Sequence, residues 1–138
     1  MCIRDRKKYN CDFSNLTCHL KEEHWKDLKS KINQVKVIYI LRDPLKRLWS
    51  HVKFHHEFIG QRPEFSDWSR SQFEDFINKD FIISNGSYSK NIKQLRKCLN
   101  QNEFKIFFFE DLVKNSKESL FELEEFLGIE HILSLIHI

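Results

Sequence analysis

One junction constrains this chain more than any other feature. Residues 35–41, Val-Lys-Val-Ile-Tyr-Ile-Leu, are β-branched or apolar at every position but one and stop abruptly at Arg42-Asp43-Pro44. A short, unbroken apolar run of this kind fits a strand buried inside a parallel sheet. A helix start follows it. Asp43 can accept hydrogen bonds from unpaired backbone N–H groups, and Pro44 suits the first turn, where a missing N–H costs nothing. The helix is expected to run to about residue 58. Strand, tight turn and helix N-terminus in succession bring N–H groups and the positive end of the helix dipole to the carboxyl end of a strand. That is where open α/β sheets bind their ligands.

The same alternation continues along the chain. Residues 20–33 carry Trp25, Leu28 and Ile32 at helical spacing between charges, which reads as a surface helix. A polar loop over 60–69 with Pro63, a short helix over 71–78 and a turn at Asn85-Gly86 lead into a longer helix over 88–99, with Ile92, Leu95 and Leu99 on one face. Residues 104–109 form a second strand candidate. Ser116 opens a last helix whose Leu120, Leu123, Phe126 and Leu127 make an apolar stripe ended by Gly128. No internal repeat is present. Strands separated by helical crossovers define a helix-rich α/β fold with a parallel sheet core, although two strands are too few to complete a sheet.

Composition narrows the function classes. At 138 residues there is room for one domain, and a 41% hydrophobic content gives it a core and excludes a disordered tail. A net charge of +3 is too small for the basic footprint of a duplex nucleic-acid binder, so only a local patch is left to hold an anion. No apolar stretch approaches a membrane span, no h-region of a signal peptide opens the chain, and the protein reads as soluble. Cys2, Cys11, Cys18 and Cys98 are too few and too uneven for a disulfide framework, which points to a reducing compartment, the cytoplasm. Cys11, Cys18, His19 and His24 lack the close cysteine pair of a zinc knuckle. Residues 1–6 and 133–138 look foreign to the rest and resemble translated sequencing-adapter ends. The domain is therefore expected over 7–132, with non-native residues on either side.

Arg42 sits at the mouth of the first strand. Its guanidinium can hold a phosphate by two parallel hydrogen bonds, and it can equally pair with a carboxylate such as Asp43. On a helical wheel Leu45, Leu48, Trp49, Val52, His56 and Ile59 share a core face, with Ser50 and Phe54 opposite and Lys46 and Arg47 nearby. Phe54 either covers another layer or walls a ligand site. From Pro44 to Ser50 the helix rises roughly 9 Å, so Arg42 and Ser50 can reach one extended anion. His51 and His55 stand one turn apart, but no third ligand accompanies them, and they read as surface or partly packed imidazoles. Tyr88 either faces an acceptor or packs beneath its loop. Glu110 and Asp111 read as caps of a short helix.

The pattern Arg42-Asp43-Pro44, then Arg47, then Ser50-His51, following an apolar strand, resembles the 3′-phosphate-binding motif of sulfotransferases that use 3′-phosphoadenosine 5′-phosphosulfate (PAPS). Gly86-Ser87-Tyr88 looks like that family's G-x-Y, Phe109-Glu110-Asp111-Leu112 like its strand-end E-D-L, and Leu127-Gly128-Ile129 like the close of its following helix. Together these motifs span roughly residues 10–130. The resemblance implies a P-loop-like three-layer fold and PAPS as donor without a metal. It also implies Arg42 and Ser50 as ligands of the 3′-phosphate, and a small-molecule or glycan hydroxyl or amine as acceptor. No Gly- or Lys-bearing phosphate loop precedes Arg42, so the chain is expected to be a fragment, inactive alone, that carries the 3′-phosphate half. The catalytic base is not placed: His19, His24, Glu22 and Glu23 are the upstream candidates, each on an amphipathic surface helix. The family works both in the cytosol and in secretory organelles. The other readings are a non-catalytic nucleotide- or anion-binding module and a P-loop kinase relative.

Overall fold

The computed structural model describes residues 2–4, 10–14, 16–59 and 67–131, with side chains over 10–14, 16–54 and 67–131. A short antiparallel pair, β1 (Cys2–Arg4) with β2 (Asn10–Asp12), precedes a 3₁₀ turn over Thr17–His19 and α1 (Glu22–Lys31). There follow β3 (Val37–Leu41), α2 (Pro44–Ile59), α3 (Arg70–Ile77), α4 (Asp80–Gly86), α5 (Tyr88–Cys98), β4 (Phe104–Phe108), α6 (Phe109–Lys114) and α7 (Ser116–Leu127). β3 and β4 run parallel, Val37 opposite Phe104 and Leu41 opposite Phe108. Parallel strands need a long crossover, and α2 to α5 supply it. The helix-rich α/β expectation is met.

Two apolar clusters hold the layers. In the first, Cys18, Trp25, Leu95 and Leu99 are buried, and Val37, Tyr39 and Phe104 pack against them, fastening α1 and α5 to the sheet. In the second, Val52, Phe76 and Ile82 join α2, α3 and α4, with Leu48, Trp68 and Phe73 around them. α1 is thus less of a surface helix than its charges imply, because Trp25 is 1% exposed.

Several local expectations are corrected. β3 is only half-buried, and Ile40 on it is 49% exposed, because β4 is its sole partner among the described residues. On α2 the core face shrinks to Leu48 and Val52: Leu45 and Trp49 are 75% and 49% exposed, since α4 covers only part of the predicted stripe. The side chains of His55, His56 and Ile59 lie outside the described residues, as do the loop residues 60–66 and the terminal residues 132–138. Asn85-Gly86 is not a free turn. It ends α4, a seven-residue helix that short length and the β-branched Ile82 and Ile83 hide from a periodicity reading.

Helix ends follow the chemistry of their residues. Ser69 and Gln72 cap α3 reciprocally, each accepting the other's backbone N–H. α7 closes at Gly128, whose φ of 68° favours glycine, and Ile129 N–H returns to the carbonyl of Glu124. The apolar stripe of α7 is half-buried. Its fully buried residue is Glu124, which meets the imidazole of His131 at 3.3 Å.

Candidate functional site

The two parallel strands end side by side, so the turns after them form one mouth. A cleft of about 440 Å³ opens there, walled by Arg42 and Asp43 from the turn after β3, Lys46 from the start of α2, Phe108 at the end of β4, Glu110 from the start of α6 and Tyr88 from the start of α5. Each wall has a local cause. Asp43 caps α2 by accepting the N–H of Lys46 at 2.9 Å, and its own N–H donates to Glu110 Oε1 at 3.1 Å. Both carboxylates are therefore committed to backbone.

That commitment leaves Arg42 as the open group. It forms no ion pair with Asp43 or any other carboxylate among the described residues. Its guanidinium lies over the ring of Phe109 at 4.6 Å, and its buried Nε has no hydrogen-bond partner. A buried donor without a partner is costly, and an anionic oxygen relieves that cost. The backbone N–H of Arg42 meets the hydroxyl of Tyr88 at 3.4 Å.

Tyr88 rests on a buried polar set. Its ring stands edge-on to Tyr39 at 6.1 Å, and Asn91 Nδ2 donates to the Tyr39 hydroxyl at 3.1 Å. Burial pushes the Tyr39 phenol and the Cys18 thiol up from their ordinary values, so both stay neutral at pH 7. Neutral, packed groups under Tyr88 fix its position without adding charge to the cleft.

Arg47 does not enter this cleft. It turns toward α4, where Nη2 donates to the carbonyl of Ile82 at 3.1 Å and lies so close to Gly86 that an added Cβ would sit 3.3 Å away. Glycine at 86 permits that approach, and Arg47 thereby locks α2 to the segment that delivers Tyr88.

The two residues singled out for the 3′-phosphate lie at the turn after β3 and on α2. Arg42 lines the cleft, whereas Ser50 is exposed further along α2 and is not among its walls. Phe54 is 52% exposed, and His51 stands edge-on to Phe81 at 5.8 Å. Of the zinc candidates, Cys18 is buried, His19 Nε2 meets Asn85 Oδ1 at 3.1 Å and His24 Nδ1 accepts the N–H of Lys21. Glu22 is bound to Lys26 at 2.8 Å. Phe108 and Phe109, read from sequence as the end of a strand candidate, also serve the site: Phe108 ends β4 at the cleft wall and Phe109, the first residue of α6, stacks under Arg42. A second groove, carrying Lys90, Lys93 and Lys97 beside Tyr88, escaped the sequence reading, although three lysines at i, i+3 and i+7 share a helix face.

Comparison with known proteins shows the family and the fold. A family model described as "Sulfotransferase domain" matches residues 16–137, and the chain belongs to that family, which sets the kinase reading aside. It is 30% identical over 115 residues, 82% of its length, to Sulfotransferase 6B1 of Mus musculus, and 29% identical over the same length to Sulfotransferase 6B1 of Gorilla gorilla gorilla. The chain spans 36% of the length of these relatives. Among solved structures, a sulfotransferase from Alicyclobacillus acidocaldarius superposes with a TM-score of 0.63 at 15% identity, covering 85% of this chain and 50% of that one. The fold is accordingly the P-loop-like α/β fold of sulfotransferases. No helix of the described residues is long and apolar enough to cross a membrane.

Proposed function

We propose that the chain forms the 3′-phosphate-binding part of a sulfotransferase that moves a sulfuryl group from PAPS to a hydroxyl or amine. The observation that carries this reading is the unpaired Arg42 guanidinium in a cleft at the carboxyl ends of two parallel strands, with its buried Nε unsatisfied. The bound donor would supply the activated sulfuryl group. Arg42 would hold the 3′-phosphate by charge-assisted hydrogen bonds, Lys46 would add a second positive charge at the rim, and Phe109 would keep the guanidinium in place. Ser50, exposed on α2, would be the second contact to the same phosphate. Arg42 and Lys46 act by positioning, the main contribution a protein makes to in-line group transfer. We propose a reducing compartment, the cytoplasm, in which Cys11, Cys18 and Cys98 stay as free thiols.

Calorimetric titration of the chain with adenosine 3′,5′-bisphosphate tests the assignment. Arg42→Ala is expected to weaken binding by about 2–5 kcal/mol, and Arg42→Lys to recover only part of it, because an ammonium cannot make the paired bonds. Unchanged affinity in Arg42→Ala contradicts the assignment.

A further inference from the structure

Tyr88 carries a hydrogen-bonding group that the fold itself leaves half used. Its oxygen meets the backbone N–H of Arg42 at 3.4 Å, and because an N–H only donates, the phenol oxygen is the acceptor in that contact. The hydroxyl proton is left over. Among the described residues no group accepts it: Asp43 Oδ1 takes the N–H of Lys46, Glu110 Oε1 takes the N–H of Asp43, and neither carboxylate bonds to Tyr88. The ring itself is held in place. It stands edge-on to Tyr39 at 6.1 Å, whose hydroxyl accepts from Asn91 Nδ2 at 3.1 Å, and Asn91, 4% exposed, also donates to the carbonyl of Ser84 at 3.4 Å. A fixed phenol with a spare proton thus lines the cleft of Arg42.

We infer that the Tyr88 hydroxyl donates a hydrogen bond to the 3′-phosphate held by Arg42 and is a further ligand of the donor nucleotide. The inference rests on the sulfotransferase reading above and adds a residue to its donor site. Position supports it first: the hydroxyl is anchored on the backbone of the residue whose guanidinium takes the phosphate, and both line one cleft. Valence supports it next. A guanidinium pairs with two oxygens of a phosphate and leaves a third oxygen, and further lone pairs, for other donors. With Arg42 and Lys46 already in the cleft wall, a neutral O–H adds a bond to the phosphate without adding repulsion between cations. The N–H of Arg42 also polarises the phenol oxygen it bonds to, which strengthens the outgoing O–H bond.

The test is calorimetric titration of the chain at pH 7 with adenosine 3′,5′-bisphosphate and with adenosine 5′-monophosphate. Tyr88→Phe keeps the ring and its edge contact with Tyr39 and removes only the hydroxyl. It is expected to weaken the bisphosphate about tenfold, as for a lost hydrogen bond to a charged group, and to change the monophosphate by less than about twofold. A second variant, with 3-fluorotyrosine in place of Tyr88, retains every hydrogen bond of the parent. Fluorine makes the phenol a stronger donor and a weaker acceptor, so bisphosphate binding should tighten by about twofold. A hydroxyl that only accepts the N–H of Arg42 would give the opposite sign, and this arm decides the matter if Tyr88→Phe does not fold. Unchanged bisphosphate affinity in Tyr88→Phe, equal losses for the two nucleotides, or unchanged or weaker bisphosphate binding with 3-fluorotyrosine overturns the inference. Arg42→Ala, titrated in parallel, separates the two readings: if it loses the bisphosphate while the Tyr88 variants behave as the parent, the role of Tyr88 is wrong and the donor site stands.

Discussion

The carboxylate of Glu110 accepts the backbone N–H of Asp43 at 3.1 Å, joining the turn after β3 to the start of α6. Leu41 and Phe108 end the two strands opposite one another, so the bond ties the segments that follow them and closes the mouth in which Arg42 sits. A carboxylate at the rim of an anion cleft works against binding by charge, yet this one organises the backbone.

These two roles separate by substitution. Glu110→Ala removes the acceptor and should cost about 1 kcal/mol, while Glu110→Gln keeps an oxygen in place and should melt near the parent. Glu110→Gln should also bind adenosine 3′,5′-bisphosphate more tightly, because a negative charge leaves the rim. Thermal melts and titration of both variants check this; equal melting of the two would show that the bond to Asp43 contributes nothing.

Gly86 and Arg47 form a second testable pair. A methyl at 86 would stand 3.3 Å from Arg47 Nη2, so the guanidinium must shift and strain its bond to the Ile82 carbonyl. Gly86→Ala is expected to destabilise by about 1 kcal/mol, and Arg47→Ala by about as much. The double variant should cost less than the sum, because each change removes what the other disturbs. Strict additivity in denaturant melts would show that the contact is not felt.

The Lys29–Glu103 pair gives a pH dependence. Burial alone would raise the Glu103 carboxyl, but Lys29 Nζ at 2.7 Å and the N–H of Asn100 outweigh it and hold the carboxyl below its ordinary value of 4.5. A carboxyl lowered on folding stabilises the fold above its unfolded value, and that stability is lost as pH falls through the folded value. The parent should therefore melt higher than Glu103→Gln at pH 7, with the gap shrinking below pH 4.5. A gap that stays constant from pH 7 to pH 3 would contradict the ion pair's role.

How much of this was legible in the sequence depended on range. The apolar run before Arg42, the cap at Asp43, the proline start and the Gly128 stop are local signals, and each appears in its expected place. Exposure was less legible. Leu45 and Trp49 are apolar at core spacing, yet what covers them depends on where α3 and α4 land, which spacing along one helix does not encode. α4 itself was missed because seven residues give too few turns for a period to show. In the site, Arg42 was readable as a strand-end cation. Its freedom from Asp43 was not, since the Asp43 carboxylate turns instead to the N–H of Lys46. Glu124 gave no signal at all: a carboxylate on an amphipathic helix ordinarily faces water, and here it is fully buried beside His131.

The central claim is that Arg42 and its cleft hold a 3′-phosphate. Thermal melting of the chain with adenosine 3′,5′-bisphosphate against adenosine 5′-monophosphate isolates that group, because the two ligands differ only by it. Selective stabilisation by the bisphosphate is predicted, up to about 2.7 kcal/mol at a hundredfold excess over Kd, and it should vanish in Arg42→Ala. Equal stabilisation by the two nucleotides, or none by either in a cooperative melt, would contradict the account and favour a scaffold that binds no donor.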